Sequence, residues 1–172
     1  NDPDLAVLLH RGQLVSGALL PPIDSYRLLQ DVKTLALRLE RQQQNARELI
    51  EFLSERPEVE QIFYPGSSSE EQAEIQSRQA RGIGSVFSLL LAEGGDAQAF
   101  ARALPIFVNA VSLGGIESLV SLPAHTTHGA YAQEHRDEFG VDDRLVRLAI
   151  GIEDVQDLTA ALEIGLKAAF AG

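Results

Sequence analysis

The chain has 172 residues, of which 45% are hydrophobic and 23% charged, a composition typical of one soluble globular domain. Its formal net charge of −11 argues against nucleic acid or an anionic membrane as a partner, because both require clustered cations. The absence of cysteine excludes disulfides, zinc–thiolate sites and cysteine nucleophiles. No apolar run approaches the roughly 20 residues that cross a bilayer, so no membrane partner and a cytoplasmic location are expected.

The first 57 residues are predicted to be mostly helical. A short helix over residues 4–12 leads into a link that ends at Pro21-Pro22. A long helix is predicted from Asp24, its N-cap, to about Glu55, because apolar residues recur at helical spacing. Arg56-Pro57 ends this helix, since proline lacks the N–H that a helix requires.

Short strands and helices alternate through residues 58–172. The predicted strands share apolar runs and cover 59–64, 85–92, 107–112, 118–122 and 144–150. The predicted helices cover 69–80, opened by the capping-box pair Ser69 and Gln72, then 96–104, and the segment capped by Asp154. We therefore expect an α/β fold, with linking helices in residues 1–57 and a small helix-covered sheet in residues 58–172.

Arg147 is the first candidate site residue. It interrupts an otherwise apolar strand and shares a face with Leu145 and Ala149. A guanidinium removed from water needs an anionic partner, and its planar shape fits a carboxylate through two parallel hydrogen bonds. A structural ion pair and a plain edge-strand arginine are the alternatives.

Ser112 is the second candidate, because it directly precedes the turn Leu113-Gly114-Gly115. Glycine permits positive φ and lets the backbone approach a ligand closely. An ordinary turn at a strand end is the alternative. The two glycines lack the strand–loop–helix context of a phosphate site, so no such site is predicted.

Three histidines, His125, His128 and His135, fall in one polar stretch. Pro123 and Gly129 interrupt helix there, and no cysteine or well-placed carboxylate completes a tetrahedral set. We therefore predict no metal site.

Two pairs of carboxylates flank the last predicted strand. Asp142-Asp143 precedes it and Glu153-Asp154 follows it. Turn and helix-cap roles account for such pairs, so acid–base chemistry is not expected from them.

Three stretches, taken together, resemble one known family. They are Asp24-Ser25-Tyr26-Arg27-Leu28-Leu29 with Lys33-Thr34-Leu35, Phe107-Val108-Asn109-Ala110-Val111-Ser112-Leu113-Gly114-Gly115-Ile116-Glu117-Ser118, and Leu145-Val146-Arg147-Leu148-Ala149-Ile150-Gly151-Ile152-Glu153-Asp154. In this order and spacing they are similar to the pyridoxal-phosphate (PLP) enzymes of cysteine and methionine metabolism. That family includes cystathionine γ-synthase, cystathionine β- and γ-lyases, methionine γ-lyase and the homoserine sulfhydrylases. The resemblance implies the C-terminal domain of a fold-type-I PLP enzyme, preceded by a long helix.

The resemblance also implies that the cofactor, pyridoxal 5′-phosphate, is bound mainly by an N-terminal domain upstream of this chain. The family's Schiff-base lysine lies in that domain, and neither Lys33 nor Lys167, the only lysines here, is placed like it. No catalytic residue is therefore expected in this chain, which alone is expected to be inactive. Because the chain contains no methionine, we expect Asn1 to lie within a longer chain.

Five residues are candidate substrate-binding residues by resemblance. The arginine matching Arg147 grips the substrate's α-carboxylate, and the serine matching Ser112 lies beside it, with the Leu113 backbone a weaker candidate. Val111 stands where enzymes of cystathionine γ-chemistry often carry glutamate, which favours a methionine γ-lyase or β-lyase type. Thr127 belongs to a loop near the family's substrate pocket.

The expected function is part of a carbon–sulfur lyase or transsulfuration enzyme acting on cystathionine, methionine or related amino acids. A cystathionine γ-synthase or homoserine sulfhydrylase and a detached, non-catalytic domain are the alternatives. The expected partners are an amino-acid substrate, the missing cofactor domain and further copies in a homo-oligomer, a tetramer in the intact enzyme.

Overall fold

The computed structural model describes residues 2–65 and 69–171. The chain divides into two compact units, residues 1–36 and residues 37–172. The domain boundary expected between residues 57 and 58 stays a prediction. Within the described ranges, every helix is too short or too polar to cross a bilayer.

The first unit contains two helices, α1 (Pro3–Ser16) and α2 (Pro22–Lys33). The Asp2 carboxylate caps α1 by accepting hydrogen bonds from two backbone N–H groups of its first turn. The helix runs past the predicted end and stops at Gly17, whose φ of 69° is left-handed. Helix α2 begins at Pro22 and not at the predicted cap Asp24, because proline's fixed φ suits the first helical position.

The long helix predicted over residues 24–55 is interrupted. Helix α2 ends at Lys33, and a separate helix, α3 (Leu35–Ser54), follows. Between them, the backbone N–H and the hydroxyl of Thr34 both donate to the Asp31 carbonyl oxygen, each at 3.4 Å. The Thr34 amide thus bonds to the residue three positions earlier and not, as in a regular α-helix, four positions earlier. The prediction of a single helix is therefore wrong at Thr34.

The second unit is built on a five-stranded mixed sheet. Its strands are β1 (Val59–Phe63), β2 (Val86–Leu91), β3 (Val108–Asn109), β4 (Leu119–Ser121) and β5 (Leu145–Ala149). The spatial order is β1-β2-β5-β4-β3, with β3 and β4 parallel and every other pair antiparallel. Strand β3 covers two residues, whereas residues 107–112 were predicted. Strand β5 lies at the centre of the sheet and pairs with a strand on each side.

Helices α4 (Glu70–Gln79), α5 (Ala97–Ala103), α6 (Gln133–Glu138) and α7 (Val155–Ala169) complete the described unit. The predicted caps of α4 and α7 are confirmed, because Ser69 and Asp154 each accept a hydrogen bond from a first-turn N–H. Helix α6 was not predicted, since it is short and has no buried residue and therefore no apolar stripe.

One face of the sheet carries the hydrophobic core. Its fully or almost fully buried side chains come from β2, β4, β5 and helices α3, α5 and α7, and include Phe87, Leu89, Val120, Val146, Leu148, Leu49, Phe100, Leu158 and Leu162. Helices therefore cover this face, which confirms the predicted α/β class. Because side chains alternate along a strand, the intervening residues of β2, β4 and β5 form a second face.

Candidate functional site

Arg147 lies on the second face of the central strand β5. It is half-buried, between the core residues Val146 and Leu148. Its partners on the adjacent strands are Ser88 of β2 and Ser121 of β4. Two small neighbours leave room for a long side chain to lie across the sheet.

The guanidinium of Arg147 contacts the residue that sequence analysis had paired with it. Its Nη2 donates a hydrogen bond to the carbonyl oxygen of Ser112 at 2.8 Å. None of the ion pairs formed within residues 2–65 and 69–171 involves Arg147. The predicted neighbourhood of arginine and serine–glycine turn is thus present, whereas the structural ion pair considered as an alternative is not found there.

The chain between β3 and β4 forms a loop that is mostly exposed up to its last residue, Ser118, which is buried. We call residues Ser112–Ser118 the β3–β4 loop. Gly114 has φ 79°, a left-handed conformation that favours glycine at the turn. Val111 and Leu113 are 55% and 58% exposed, and Ile116 is 49% exposed. We call these three exposed side chains, in or next to the loop whose first residue Arg147 contacts, the apolar rim.

Thr127 lies on an exposed segment after a 3₁₀ turn, Pro123–His125. Its hydroxyl is 2.9 Å from the Nδ1 atom of His128. None of the described contacts joins Thr127 to Arg147 or Ser112, so its place in a substrate site stays a prediction.

The three histidines of the polar stretch lie on different segments. His125 closes the 3₁₀ turn, His128 follows in the next turn, and His135 is in α6. The described residues contain no group of three or more His, Asp or Glu side chains arranged to hold a metal ion.

The carboxylates that flank β5 have structural partners. Asp142 accepts hydrogen bonds from the backbone and guanidinium N–H groups of Arg144, and these contacts hold the pKa of Asp142 below its usual value. Asp143 pairs with Arg136 at 2.7 Å. The expected turn role is confirmed for Asp142, because its bond to the Arg144 amide closes an Asx turn.

Sequence reasoning missed a buried polar network behind the β3–β4 loop. The Glu153 carboxylate, expected only at a turn or cap, accepts hydrogen bonds from the amide N–H and hydroxyl of Ser118, at 2.6 and 2.9 Å. Gln42 and Asn45 of α3 are buried and donate to backbone carbonyl oxygens of the same region. The sequence signal for this network was the pair of side-chain amides, Gln42 and Asn45, three residues apart in the predicted helix. Buried amides need hydrogen-bond partners.

Comparisons with known proteins agree on one family. The family described as Cys/Met metabolism PLP-dependent enzyme matches residues 1–167. The cystathionine γ-lyase of Bacillus subtilis (strain 168) is 41% identical over 155 residues, which are 90% of this chain and 41% of that protein. The L-methionine γ-lyase of Pseudomonas deceptionensis is 43% identical over 155 residues, which are 90% of this chain and 39% of that protein.

A solved structure has the same fold as this chain. The crystal structure of cystathionine γ-lyase from Lactobacillus plantarum, complexed with L-serine, matches with a TM-score of 0.88 and 36% sequence identity. The match covers 98% of this chain and 44% of that chain. The chain therefore spans about two fifths of the length of the relatives that it matches.

Proposed function

This chain belongs to the family of Cys/Met metabolism PLP-dependent enzymes, and we propose that it forms the substrate-carboxylate-binding part of a carbon–sulfur lyase. The proposed substrates are cystathionine, methionine or related amino acids. The observation that carries the proposal is the 2.8 Å contact between the Arg147 guanidinium and the Ser112 carbonyl oxygen.

The state of the Arg147 guanidinium supports a role in binding an anion. One of its five N–H donors contacts Ser112, and it makes none of the ion pairs found in the described ranges. A half-buried guanidinium without a protein carboxylate can bind an amino acid's carboxylate through two parallel hydrogen bonds. The Ser112 carbonyl would fix the orientation of the guanidinium, so that the substrate's Cα always lies in the same place.

The apolar rim supports a lyase that acts on a sulfur-bearing apolar side chain. Val111 and Leu113 offer dispersion contacts and no charge to the part of the substrate beyond Cα. A substrate with a distal ammonium group would find no carboxylate at Val111. This argues for a methionine γ-lyase or β-lyase type over a cystathionine γ-synthase, in agreement with the sequence interpretation.

The two lysines support binding of the cofactor by residues outside this chain. The Lys33 ammonium donates to the Gln30 side chain on exposed helix α2. Lys167 is in the last turn of α7, which packs on the core face, whereas Arg147 is on the second face. Lys167 therefore lies on the wrong side of the sheet to form the covalent bond to PLP beside Arg147, and the Lys33 ammonium already has a side-chain partner. When bound, PLP supplies an electron sink for bonds broken at the substrate's Cα.

Exposed apolar side chains on α1 and α2 support a further partner. No residue of either helix is buried, and the side chains that are more than half exposed include Leu5, Leu8, Leu9, Leu14, Leu28 and Leu29. Apolar surface of this extent marks an interaction site. We infer that the upstream cofactor domain, in a homo-oligomer, covers it.

The proposal is tested by replacing Arg147 in a protein that joins this chain to its upstream residues and carries PLP. Arg147→Ala is expected to raise KM for the amino acid at least about tenfold, because the carboxylate loses its charged partner. Arg147→Lys should recover only part of this loss, since lysine lacks the planar fork. Arg102→Ala is the matched control, because Arg102 is an exposed arginine of α5. An unchanged KM in Arg147→Ala would remove Arg147 from the substrate site.

A detached, non-catalytic domain is the second candidate, favoured by the placement of Lys33 and Lys167. Intact mass and the visible spectrum of the purified protein separate the two. A species of about twice the mass of this chain, with yellow absorption and an oligomeric size in solution, supports the enzyme. A colourless species of 18.7 kDa supports the detached domain.

A further inference from the structure

The β3–β4 loop is fixed at both of its ends. Arg147 contacts the carbonyl oxygen of its first residue, Ser112, at 2.8 Å. Glu153 accepts from the amide N–H and from the hydroxyl of its last residue, Ser118, so both carboxylate oxygens are used. The loop therefore connects the candidate substrate-binding arginine to a carboxylate on the segment that follows the same strand, β5.

Ser118 is the centre of the second attachment. It is fully buried, and its hydroxyl oxygen also accepts a hydrogen bond from the Gly151 N–H at 2.9 Å. The next amide, that of Ile152, donates to the Ile116 carbonyl oxygen at 2.9 Å. These bonds attach the end of the loop to the Gly151–Glu153 segment along three consecutive residues.

Two side chains of helix α3 donate hydrogen bonds to the same loop and to the Gly151–Glu153 segment. The Gln42 side chain donates to the Gly115 carbonyl oxygen. The Asn45 side chain donates to the carbonyl oxygens of Gly151 and Glu153, at 3.1 and 2.9 Å. Both amide side chains are almost completely buried. These hydrogen bonds favour the observed arrangement, because leaving the buried N–H donors unpaired is costly. The Oδ1 atom of Asn45 has no hydrogen-bond partner among the described residues.

We propose that Glu153 is a positioning residue for substrate binding. Its carboxylate holds the β3–β4 loop in place, so that the Ser112 carbonyl keeps the Arg147 guanidinium in the orientation that receives the substrate's carboxylate. Glu153 itself does not touch the substrate. The inference rests on the proposed function, because it requires Arg147 to bind that carboxylate.

Two variants of Glu153 separate positioning from charge. Glu153→Ala removes both acceptors, leaving the buried Ser118 amide and hydroxyl without their partner. Glu153→Gln keeps one carbonyl acceptor for the Ser118 amide, and its NH2 group can donate to the Ser118 hydroxyl oxygen. Glu117→Ala is the matched control, since it removes an exposed carboxylate from the same loop.

Steady-state kinetics of the PLP-loaded protein give the first readout. Glu153→Ala is expected to raise KM for the amino acid about tenfold, with kcat changed less than about threefold. Glu153→Gln should stay within about threefold of the unmodified protein in both constants, as should Glu117→Ala. An unchanged KM in Glu153→Ala, or an equal rise in Glu117→Ala, would overturn the proposal.

Hydrogen exchange of the 172-residue chain gives the second readout. Glu153→Ala is expected to speed exchange at the Ser118 and Ile152 amides, while the amides of Val146 and Leu148 in β5 keep their protection. Unchanged protection of Ser118 and Ile152 would contradict the proposal. If Glu153→Ala does not fold, Ser118→Ala, which removes only the hydroxyl, is expected to show the same pattern in a weaker form.

The two proposals fail in different ways. If Arg147→Ala leaves KM unchanged, the proposed function is wrong, and Glu153 then has no substrate-binding residue to position. If Arg147→Ala raises KM but neither Glu153→Ala nor Ser118→Ala does, only the positioning role is wrong.

Discussion

Ser88 of β2 lies directly opposite Arg147 of β5 in the antiparallel ladder. Ser121 of β4 lies opposite Arg147 on its other side, and Phe63 of β1 lies opposite Ser88, so one row of side chains crosses four strands. Side chains that face each other across antiparallel strands have their Cβ atoms about 4.5–5.5 Å apart. The size of residue 88 therefore affects the space beside the Arg147 side chain.

Enlarging Ser88 is expected to displace the guanidinium. In the PLP-loaded protein, Ser88→Leu should raise KM for the amino acid more than kcat falls, because the added methyl groups occupy the space beside Arg147. Ser88→Ala, which removes the hydroxyl but adds no bulk, should leave both constants nearly unchanged. Equal effects of the two variants would show that the hydroxyl, and not the small size, is what matters at this position.

The face of Arg147 could be predicted from sequence, but its neighbours could not. Alternation along the strand placed Arg147 with Leu145 and Ala149, which is the face that it occupies. Ser88 and Ser121 are 59 and 26 positions away from Arg147 along the chain, and they meet it only because β2 and β4 both pair with β5. Sequence patterns of single strands carry no information about such non-local pairing.

The start of α7 and the break between α2 and α3 show what the sequence pattern could and could not predict. The Asp154 cap acts through its own first turn, so the start of α7 was predictable. The break at Thr34 depends on its hydroxyl and N–H turning to the Asp31 carbonyl, within a helical apolar pattern that continues on both sides. The role of Glu153 depends on Ser118, 35 residues away, and sequence alone gave only a cap or turn role.

Helix α3 offers a matched pair of leucines with opposite environments. Leu49 is completely buried in the core, whereas Leu37 is 69% exposed. Leu49→Ala should lower the free energy of unfolding of the 172-residue chain by about 2–5 kcal/mol, because it leaves a cavity. Leu37→Ala should change it by less than about 0.5 kcal/mol. Urea unfolding measures both, and equal losses would contradict the burial of Leu49.

Gly151 is expected to tolerate no side chain. A Cβ atom there would lie 2.7 Å from the carbonyl carbon of Glu117 and would also clash with the Ile116 carbonyl oxygen, and neither backbone atom can move independently. Gly151→Ala should therefore lower the free energy of unfolding by about 1–3 kcal/mol.

The matched glycine control is Gly12 in α1, where an added Cβ would meet no atom within 4 Å. Gly12→Ala should leave stability unchanged or raise it by up to about 1 kcal/mol, since alanine favours helix more than glycine does. Urea midpoints of the two variants give the comparison. A loss in Gly12→Ala as large as that in Gly151→Ala would show that the close approach of residues 116–117 is not the cause of the loss at residue 151.

The contacts between Asp142 and Arg144 predict a pH dependence of stability. Hydrogen bonds from the Arg144 side chain are the main cause that lowers the pKa of Asp142 in the folded protein. A carboxyl group with a lowered folded pKa stabilises the fold fully above its unfolded pKa, about 3.9 for aspartate. This contribution is lost as the pH falls from the unfolded pKa through the lowered folded pKa, because the unfolded chain binds its proton first and protonation therefore favours unfolding.

Asp142→Asn removes this contribution and tests its sign. The Asp142 side chain is 41% exposed, so solvent screening limits the loss at pH 7 to about 0.2–1 kcal/mol. The difference between the unmodified chain and Asp142→Asn should persist down to about pH 4 and shrink below it, as both forms become neutral at residue 142. Urea midpoints measured in steps from pH 7 to pH 2 give the profile. A difference that grows as the pH falls would mean that the pKa of Asp142 is raised, and that its contacts with Arg144 do not stabilise the charged carboxylate.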